Sequence, residues 1–519
     1  MRVGPLCGVL VGVLVVGVVV GELPPPDASY KILMLLPISS KSHRNVFIPV
    51  AEALAERGHK IVMMSNTAKP MNHPNIHEFD HGVPDFNEDN INMFEARKQK
   101  FGGLGTLNTI LPAVARKLYK RPEVMKLYNR RKEFDVIIID HMFNEVAYPF
   151  LHEMPFITLV TGGMDHRHSA VLGNVLNPSY APNFLTDFPA PLSMWHRFIN
   201  TLGHIGLAFY WRNWVTVPLV QKEITAQFPD LPPLLDIERN LSLALINTHF
   251  TISKTMPVLP SEVEVGTMHC RPAQPLPQDL ETWISGAGPE GVIYFSLGSV
   301  AKGSSMPTEY RDAFIEAFRR LPHRVIWKYE GELKGVSDNV LIQKWLPQQD
   351  ILAHNKVKVF ITHGGLLSLQ ESIYHATPLL SIPIFGDQPK NALFVKNKGL
   401  GDMLVWEELT ADALVNTLTE ITTNPQYTRN MESVSRPLRD QLTTPKERAV
   451  YWTEYVIRHK GAPQLKCPAA ELSWVEFLML DVLAVLLVVL HITIYILYRI
   501  LRAISAKIFG HQKVKSKRE

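Results

Sequence analysis

Short apolar runs alternate with helically spaced stretches twice along the chain, and a segment obeying neither period separates the two series. Residues 31–36 form the first run, which stops at Pro37. Phe47, Val50, Ala51 and Leu54 then recur at helical spacing as far as Gly58, and 60–65 is a second apolar run. Residues 135–139 and 155–160 are β-rich runs flanking a helix-like 144–152. Such alternation predicts a parallel sheet covered by helices on both faces. Residues 161–240 are aromatic-rich and broken by prolines, which suits a substrate-binding surface or plain packing equally. The second series starts at Gly291, with runs at 292–297, 324–328, 340–342, 357–362 and 378–382 and a helix opened by Pro307. The expected fold is α/β: two Rossmann-like domains, 22–270 and 291–472, joined by a linker at 271–290 and facing a cleft at their strand carboxyl ends.

The two ends read differently. Arg2, the apolar 6–20 and the small residues before Glu22 make 1–21 a signal peptide. Residues 477–498 are interrupted only by Asp481, His491 and Thr493, long enough to cross about 30 Å of hydrocarbon. A transmembrane helix is therefore expected at 473–498. The basic 499–519 that follows is a cytosolic tail by the positive-inside bias.

Charge placement supports that topology. The net +4 divides into +6 on the last 21 residues and −2 on residues 1–498, which excludes a basic nucleic-acid-binding domain. Lys515 and Lys517 resemble dilysine signals of the endoplasmic reticulum, and a polybasic tail on anionic lipid is compatible with them. The expected residence is the endoplasmic reticulum membrane with a luminal body. Asn240-Leu-Ser is then a glycosylation acceptor, whereas Asn177-Pro-Ser is excluded by its proline. Cys7 leaves with the signal, so Cys270 and Cys467 either pair in an oxidising lumen or stay free.

Candidate chemistry concentrates in residues 360–388. A strand ends at Thr362, His363 and two glycines make the turn, and a helix follows Gly365. A helix N-terminus approached through glycine is an anion site, to which His363 and Ser368 can add donors for a diphosphate. Glu371 can accept from ribose hydroxyls, and Asp387 with Gln388 can read sugar hydroxyls. At Trp345-Leu-Pro-Gln348, an aromatic face and an amide suit a nucleobase.

Phe-Ile-Thr-His-Gly-Gly at 360–365, followed by Ser368, Glu371, Pro378, Pro383 and Asp387-Gln388, resembles the signature of the UDP-glycosyltransferase family. The resemblance covers essentially the whole chain and implies a GT-B-type fold. It implies that Trp345 stacks on uracil, that Gln348 bonds the base edge and that Ser299 contacts the diphosphate. Leu367 departs from the Asn common in vertebrate and plant members, and GGLLS is the reading of many invertebrate ones. The acceptor hydroxyl is a poor nucleophile and needs a base. His43, between the first strand and first helix, matches the family's basic histidine, and Asp140 matches the aspartate that orients it.

The implied reaction is an inverting transfer of a hexose, glucose for an invertebrate-type member, from UDP-sugar to a hydroxyl of a small lipophilic acceptor, as in detoxification. No metal or other cofactor is expected, since there is no Asp-x-Asp and helix donors replace the cation. The expected partners are UDP-sugar, acceptor and membrane, and a homo-oligomer is compatible with them. Two alternatives remain: a membrane-tethered nucleotide-sugar or lipophile carrier without turnover, and a zinc metalloprotease through His77-Glu-Phe-Asp-His81. A dehydrogenase lacks G-x-G-x-x-G after either first strand, and a serine hydrolase lacks G-x-S-x-G.

Overall fold

A computed structural model describes residues 23–69, 71–86, 92–98, 104–183, 188–189, 191–299 and 301–515. The signal segment 1–21 and Lys517 lie outside the described residues.

The first sheet contains β1 (Lys31–Leu36), β2 (Lys60–Ser65), β3 (Ile76–Asp80), β4 (Val136–Asp140), β5 (Phe156–Val160), β6 (Leu243–Ile246) and β7 (Glu262–Glu264). Its strands are parallel, in the order β3-β2-β1-β4-β5-β6-β7. Five consecutive buried residues in β1, β4 and β5 leave each strand covered on both faces, which is why they read as unbroken apolar runs. Register is in step across the centre, Ile32 to Val136 and Leu35 to Ile139.

The second sheet contains β8 (Val292–Ser296), β9 (Arg324–Lys328), β10 (Val340–Gln343), β11 (Val357–Thr362), β12 (Leu379–Ser381) and β13 (Gly401–Met403), ordered β10-β9-β8-β11-β12-β13 and again parallel. In each sheet the order reverses once, between β1 and β4 and between β8 and β11. Loops leaving adjacent strands diverge at such a point and open a crevice. His43 and Asp140 stand at the first reversal, His363 and Ser299 at the second.

The chain crosses between the units more than its order suggests. The Pro445–Arg458 helix falls within 291–472, yet Ala449, Val450 and Val456 pack with Ile32, Val50 and Leu54 of the first domain. In the other direction Phe94 meets Trp406 edge-on at 5.0 Å inside the second core. Residues 271–290 are not all linker either. The Gln278–Ser285 helix buries Leu280 and Ile284 in the second domain, because its apolar positions share one face.

The apolar C-terminal helix begins later than the apolar count placed it. Ser473 caps a separate Trp474–Phe477 turn in a capping box, Met479 takes a left-handed φ of 52°, and the long helix runs Leu480–Lys515. Its Leu480–Lys507 portion is long and apolar enough to cross a membrane. Cys270 and Cys467 are both free. Asn240 is exposed just after the Leu234–Glu238 helix.

Between β5 and β6 lies the segment without a clear period. It forms the helix Met194–Ile205, a π-helix Gly206–Thr216 and the helix Val217–Thr225 in one continuous stretch. Arg212 of the π-helix is buried, pairing with Glu145 at 2.9 Å and Glu238 at 2.5 Å. Burial would lower its pKa, but the two carboxylates hold the guanidinium fully protonated.

Candidate active site

The crevices of the two domains face each other across one cavity of about 860 Å³. His43 lies in the first turn of the Lys41–Glu56 helix, where Ser40 caps by accepting the His43 N–H. The cap fixes where the helix starts and so where the imidazole points. Nδ1 of His43 is 2.6 Å from Oδ2 of Asp140, whose side chain is buried while His43 is part-exposed to the cavity.

Burial by itself would raise the Asp140 pKa. The charge on His43, its hydrogen bond and the neighbouring His141 ring outweigh it and hold the carboxyl well below the usual range. An ionised Asp140 only accepts, so Nδ1 carries the ring proton and Nε2 is the basic nitrogen of the ring. His141 turns away into the protein. Its Nδ1 is 3.5 Å from Asp140, and its Nε2 is 3.8 Å from Asp165.

Two residues that no sequence motif marked complete this corner. The Thr161 hydroxyl donates to Asp140 Oδ1 at 3.2 Å, and its oxygen is 3.1 Å from His43 Nδ1. Asn144 clasps both backbone groups of Ile38, accepting its N–H at 2.8 Å and donating to its carbonyl at 3.2 Å. That clasp ties the loop after β1 to the loop after β4, hence His43 to Asp140. Position at the end of β5, beside β4, was the signal available for Thr161.

On the opposite wall, the Leu366–Tyr374 helix starts at Gly365 with no side-chain cap, and its first residues line the cavity. Uncapped N–H groups there attract an anion. The half-buried His363 ring is wedged between two glycines. A Cβ would come within 2.6 Å of the ring at Gly298 and 2.5 Å at Gly365, and Gly298 also has φ +80°. Burial, with Lys328 nearby, lowers the His363 pKa to about 4. Near neutral pH His363 is therefore an uncharged hydrogen-bonding group.

Trp345 is 71% exposed and lines the cavity, with the Lys328 ammonium 5.9 Å from its ring centroid. An open indole face of this kind is a stacking platform rather than core. Gln348 is held from both sides, accepting from Tyr294 at 3.1 Å and donating to Ser368 at 3.1 Å and Glu371 at 2.6 Å. Burial raises the Glu371 pKa to about 7 against the opposing Gln348 hydrogen bond. Asp387 is likewise raised by burial and accepts from Asn391 at 2.8 Å. The Gln388 amide oxygen accepts from the N–H groups of Ile384 and Phe385, which locks the loop. Ser299 lines the same cavity.

The predicted catalytic and donor-site residues therefore meet at one cavity, Asp140 standing directly behind His43, while Asn240 lies on the surface. The third wall is apolar and carries no motif: Phe86, Met93, Leu107, Ile110, Met142 and Phe143. Phe143 takes a left-handed φ of 61° and meets Trp211 of the π-helix edge-on at 6.0 Å.

His77-Glu-Phe-Asp-His81 is not a zinc motif. Its first four residues lie on β3, where the helical face shared by two histidines does not exist. Glu78 pairs with Arg44, and the buried His81 bonds the Pro37 carbonyl.

Comparison with known proteins agrees with this geometry. The family model described as UDP-glucoronosyl and UDP-glucosyl transferase matches residues 32–515. UDP-glycosyltransferase UGT5 of Dactylopius coccus is 35% identical over 500 residues, 93% of this chain and 94% of that protein. UDP-glucuronosyltransferase 2B13 of Oryctolagus cuniculus is 32% identical over 408 residues, 76% of this chain and 74% of that protein. The structure of Medicago truncatula UGT71G1 complexed with UDP-glucose gives a TM-score of 0.54 at 16% identity, covering 83% of this chain and 98% of that one, which extends to the fold. The chain belongs to the UDP-glucoronosyl and UDP-glucosyl transferase family and is a glycosyltransferase enzyme of GT-B fold.

Proposed function

We propose that this enzyme transfers glucose from UDP-glucose to a hydroxyl of a small lipophilic acceptor, with inversion at the anomeric carbon. One observation carries the reading. The His43–Asp140 pair, 2.6 Å apart, opens into the same cavity as the uncapped helix N-terminus, with an apolar wall beside it.

In this mechanism His43 Nε2 takes the acceptor's proton as the acceptor oxygen bonds to C1 of the sugar. The bond from C1 to the β-phosphate oxygen breaks, and its electron pair leaves on UDP. Asp140 stabilises the imidazolium that forms. The N–H groups after Gly365, with His363 as a neutral donor, Ser368 and Ser299, receive the diphosphate charge. They fill the role a divalent cation fills elsewhere. Trp345 stacks on the base, and Glu371 accepts from the ribose.

Asp387 and Gln388 face the sugar. A second carboxyl brought against Asp387 would be repelled, which supports neutral glucose over glucuronate. Phe86, Leu107, Ile110 and Phe143 offer a flat hydroxylated hydrocarbon apolar contact and little else. Residues 480–507 anchor the body in the endoplasmic reticulum membrane in this reading, with Asn240 on the luminal side.

The test is incubation of full-length protein in membranes with radiolabelled UDP-glucose and a panel of phenols. A labelled β-linked conjugate is expected. UDP binding without any conjugate, with UDP-galactose and UDP-glucuronate equally silent, would show a carrier instead.

A further inference from the structure

The helical stretch after Met194 is inverted relative to a soluble protein. Trp195, Phe198, Leu202 and Ile205 recur at three- and four-residue spacing and all point outward, and Tyr210 and Trp214 continue outward along the π-helix. Trp195 is 61% exposed and Trp214 74%. Two polar residues of the same helix, Asn200 and His204, are turned inward, while Arg197 stays exposed. Asn200 is fully buried, donating to the carbonyls of Pro178 and Ala181 at 2.6 and 2.7 Å, and His204 bonds the Ala181 carbonyl at 3.1 Å. An amphipathic helix in water places these groups the other way round. An exposed apolar face of this length marks a contact surface.

We propose that this face lies in the headgroup–acyl boundary of the membrane that the Leu480–Lys507 helix enters. The inference rests on reading that helix as the anchor.

Three observations select lipid over a protein partner. The first is position. The His204 ring stacks on His166 at 3.9 Å, and His166 opens the short helix that ends just before Gly173. A Cβ on Gly173 would come within 2.8 Å of the Ala470 nitrogen and 3.1 Å of Cys467. The chain is thus pinned beside this helix ten residues before Leu480, a tether of at most about 35 Å. The second is residue type. Trp and Tyr join an apolar body to a polar tip and favour the interface, with Phe, Leu and Ile reaching deeper. The third is charge. From Pro191 to Lys222 the sequence has no Asp or Glu, so the face offers no carboxylate to a basic partner and none to repel anionic lipid.

The consequence concerns acceptor supply. Trp211, on the same π-helix as the outward Tyr210 and Trp214, turns inward to Phe143 of the cavity wall. One helix, about 10 Å across, therefore separates the membrane face from the acceptor cavity. A lipophile dissolved in the bilayer is presented next to its site.

The test uses the full-length chain, one copy per phosphatidylcholine nanodisc, with an NBD fluorophore on Phe198→Cys, Trp214→Cys, Ile492→Cys or Leu442→Cys. Wild-type protein, labelled in parallel, supplies the background from its own cysteines. Nitroxide lipids labelled near the headgroup or deep in the chain serve as quenchers. The expected result is blue-shifted emission at 198 and 214, quenched at least twofold more by the shallow nitroxide, with none at 442. Deep quenching is expected at 492. Quenching at 492 with none at 198 and 214 overturns the proposal and leaves the anchor standing. Absence of quenching at 492 overturns the anchor reading, while 198 and 214 still decide the face by their own signal. A blue shift at 198 only in discs holding two copies, without lipid quenching, assigns the face to a second chain and overturns the proposal.

Discussion

The second domain builds its side of the cavity mainly from one stretch of chain, whereas the first gathers its side from loops far apart in sequence. From β11 through Gln388 the chain makes a strand, a turn, a helix with free N–H groups, another strand and a locked loop. In the proposed reaction a diphosphate and a ribose are the same in every turnover, and backbone donors at fixed spacing would suffice to hold them. The acceptor wall instead draws on Phe86 and Met93, on Leu107 and Ile110, and on Met142 and Phe143, taken from separate stretches between β3 and the loop after β4. Contacts made by shape leave no local motif.

The two sides also differ in how they are held rigid. The donor side relies on close backbone approach, as at Gly298 and Gly365 around the His363 ring. The acceptor side relies on a buried ionic cluster that fixes the π-helix, Arg212 between Glu145 and Glu238. Each arrangement fails in its own way, so substitutions can separate them.

The largest effect is expected from Arg212→Met. It leaves two buried carboxylates unpaired at a cost of about 3–5 kcal/mol. Thermal denaturation should show a lower first transition, with UDP affinity of the surviving folded protein unchanged. If UDP affinity falls with stability, the two sides are not separable. Gly365→Ala should do the reverse. Its methyl displaces the His363 ring and should lower transfer by about 10²-fold, with little change in the melting of the first domain. Steady-state kinetics beside calorimetry reads both quantities. Trp345→Ala removes a stacking platform worth about 1–3 kcal/mol and should weaken UDP by about tenfold or more, without altering acceptor KM.

The smallest effect is a pH dependence of donor binding. Burial raises Glu371 to about 7 in the free enzyme, and in the proposed binding mode ribose hydroxyls donating to it would favour its ionised form. Binding near pH 6 must therefore release a proton, while near pH 8 it need not. UDP affinity should be about tenfold weaker at pH 6 than at pH 8. Glu371→Gln should flatten the profile. A profile that keeps its slope in that variant assigns the proton elsewhere.

Much of this was readable from residues because both strands and anion sites are local. Residues 31–36, 60–65, 324–328 and 357–362 are apolar on both faces and fall on β1, β2, β9 and β11 without shift. The edge strands β7 and β13, three residues each, are too short for any period to show. Thr161 and Asn144 act through partners about 20 to 120 residues away, so their place in the site depends on tertiary contacts. The π-helix hid for another reason. Its period differs from 3.6, and its outward face is apolar, so residues 161–240 matched neither template.

The central claim is that His43 is the base and that the donor site works independently of it. Single-turnover transfer from UDP-glucose by His43→Ala, measured with UDP affinity on the same preparation, tests it most directly. The account predicts a rate lower by about 10²–10⁴-fold with UDP affinity within twofold of wild type. Full transfer activity in that variant would contradict it.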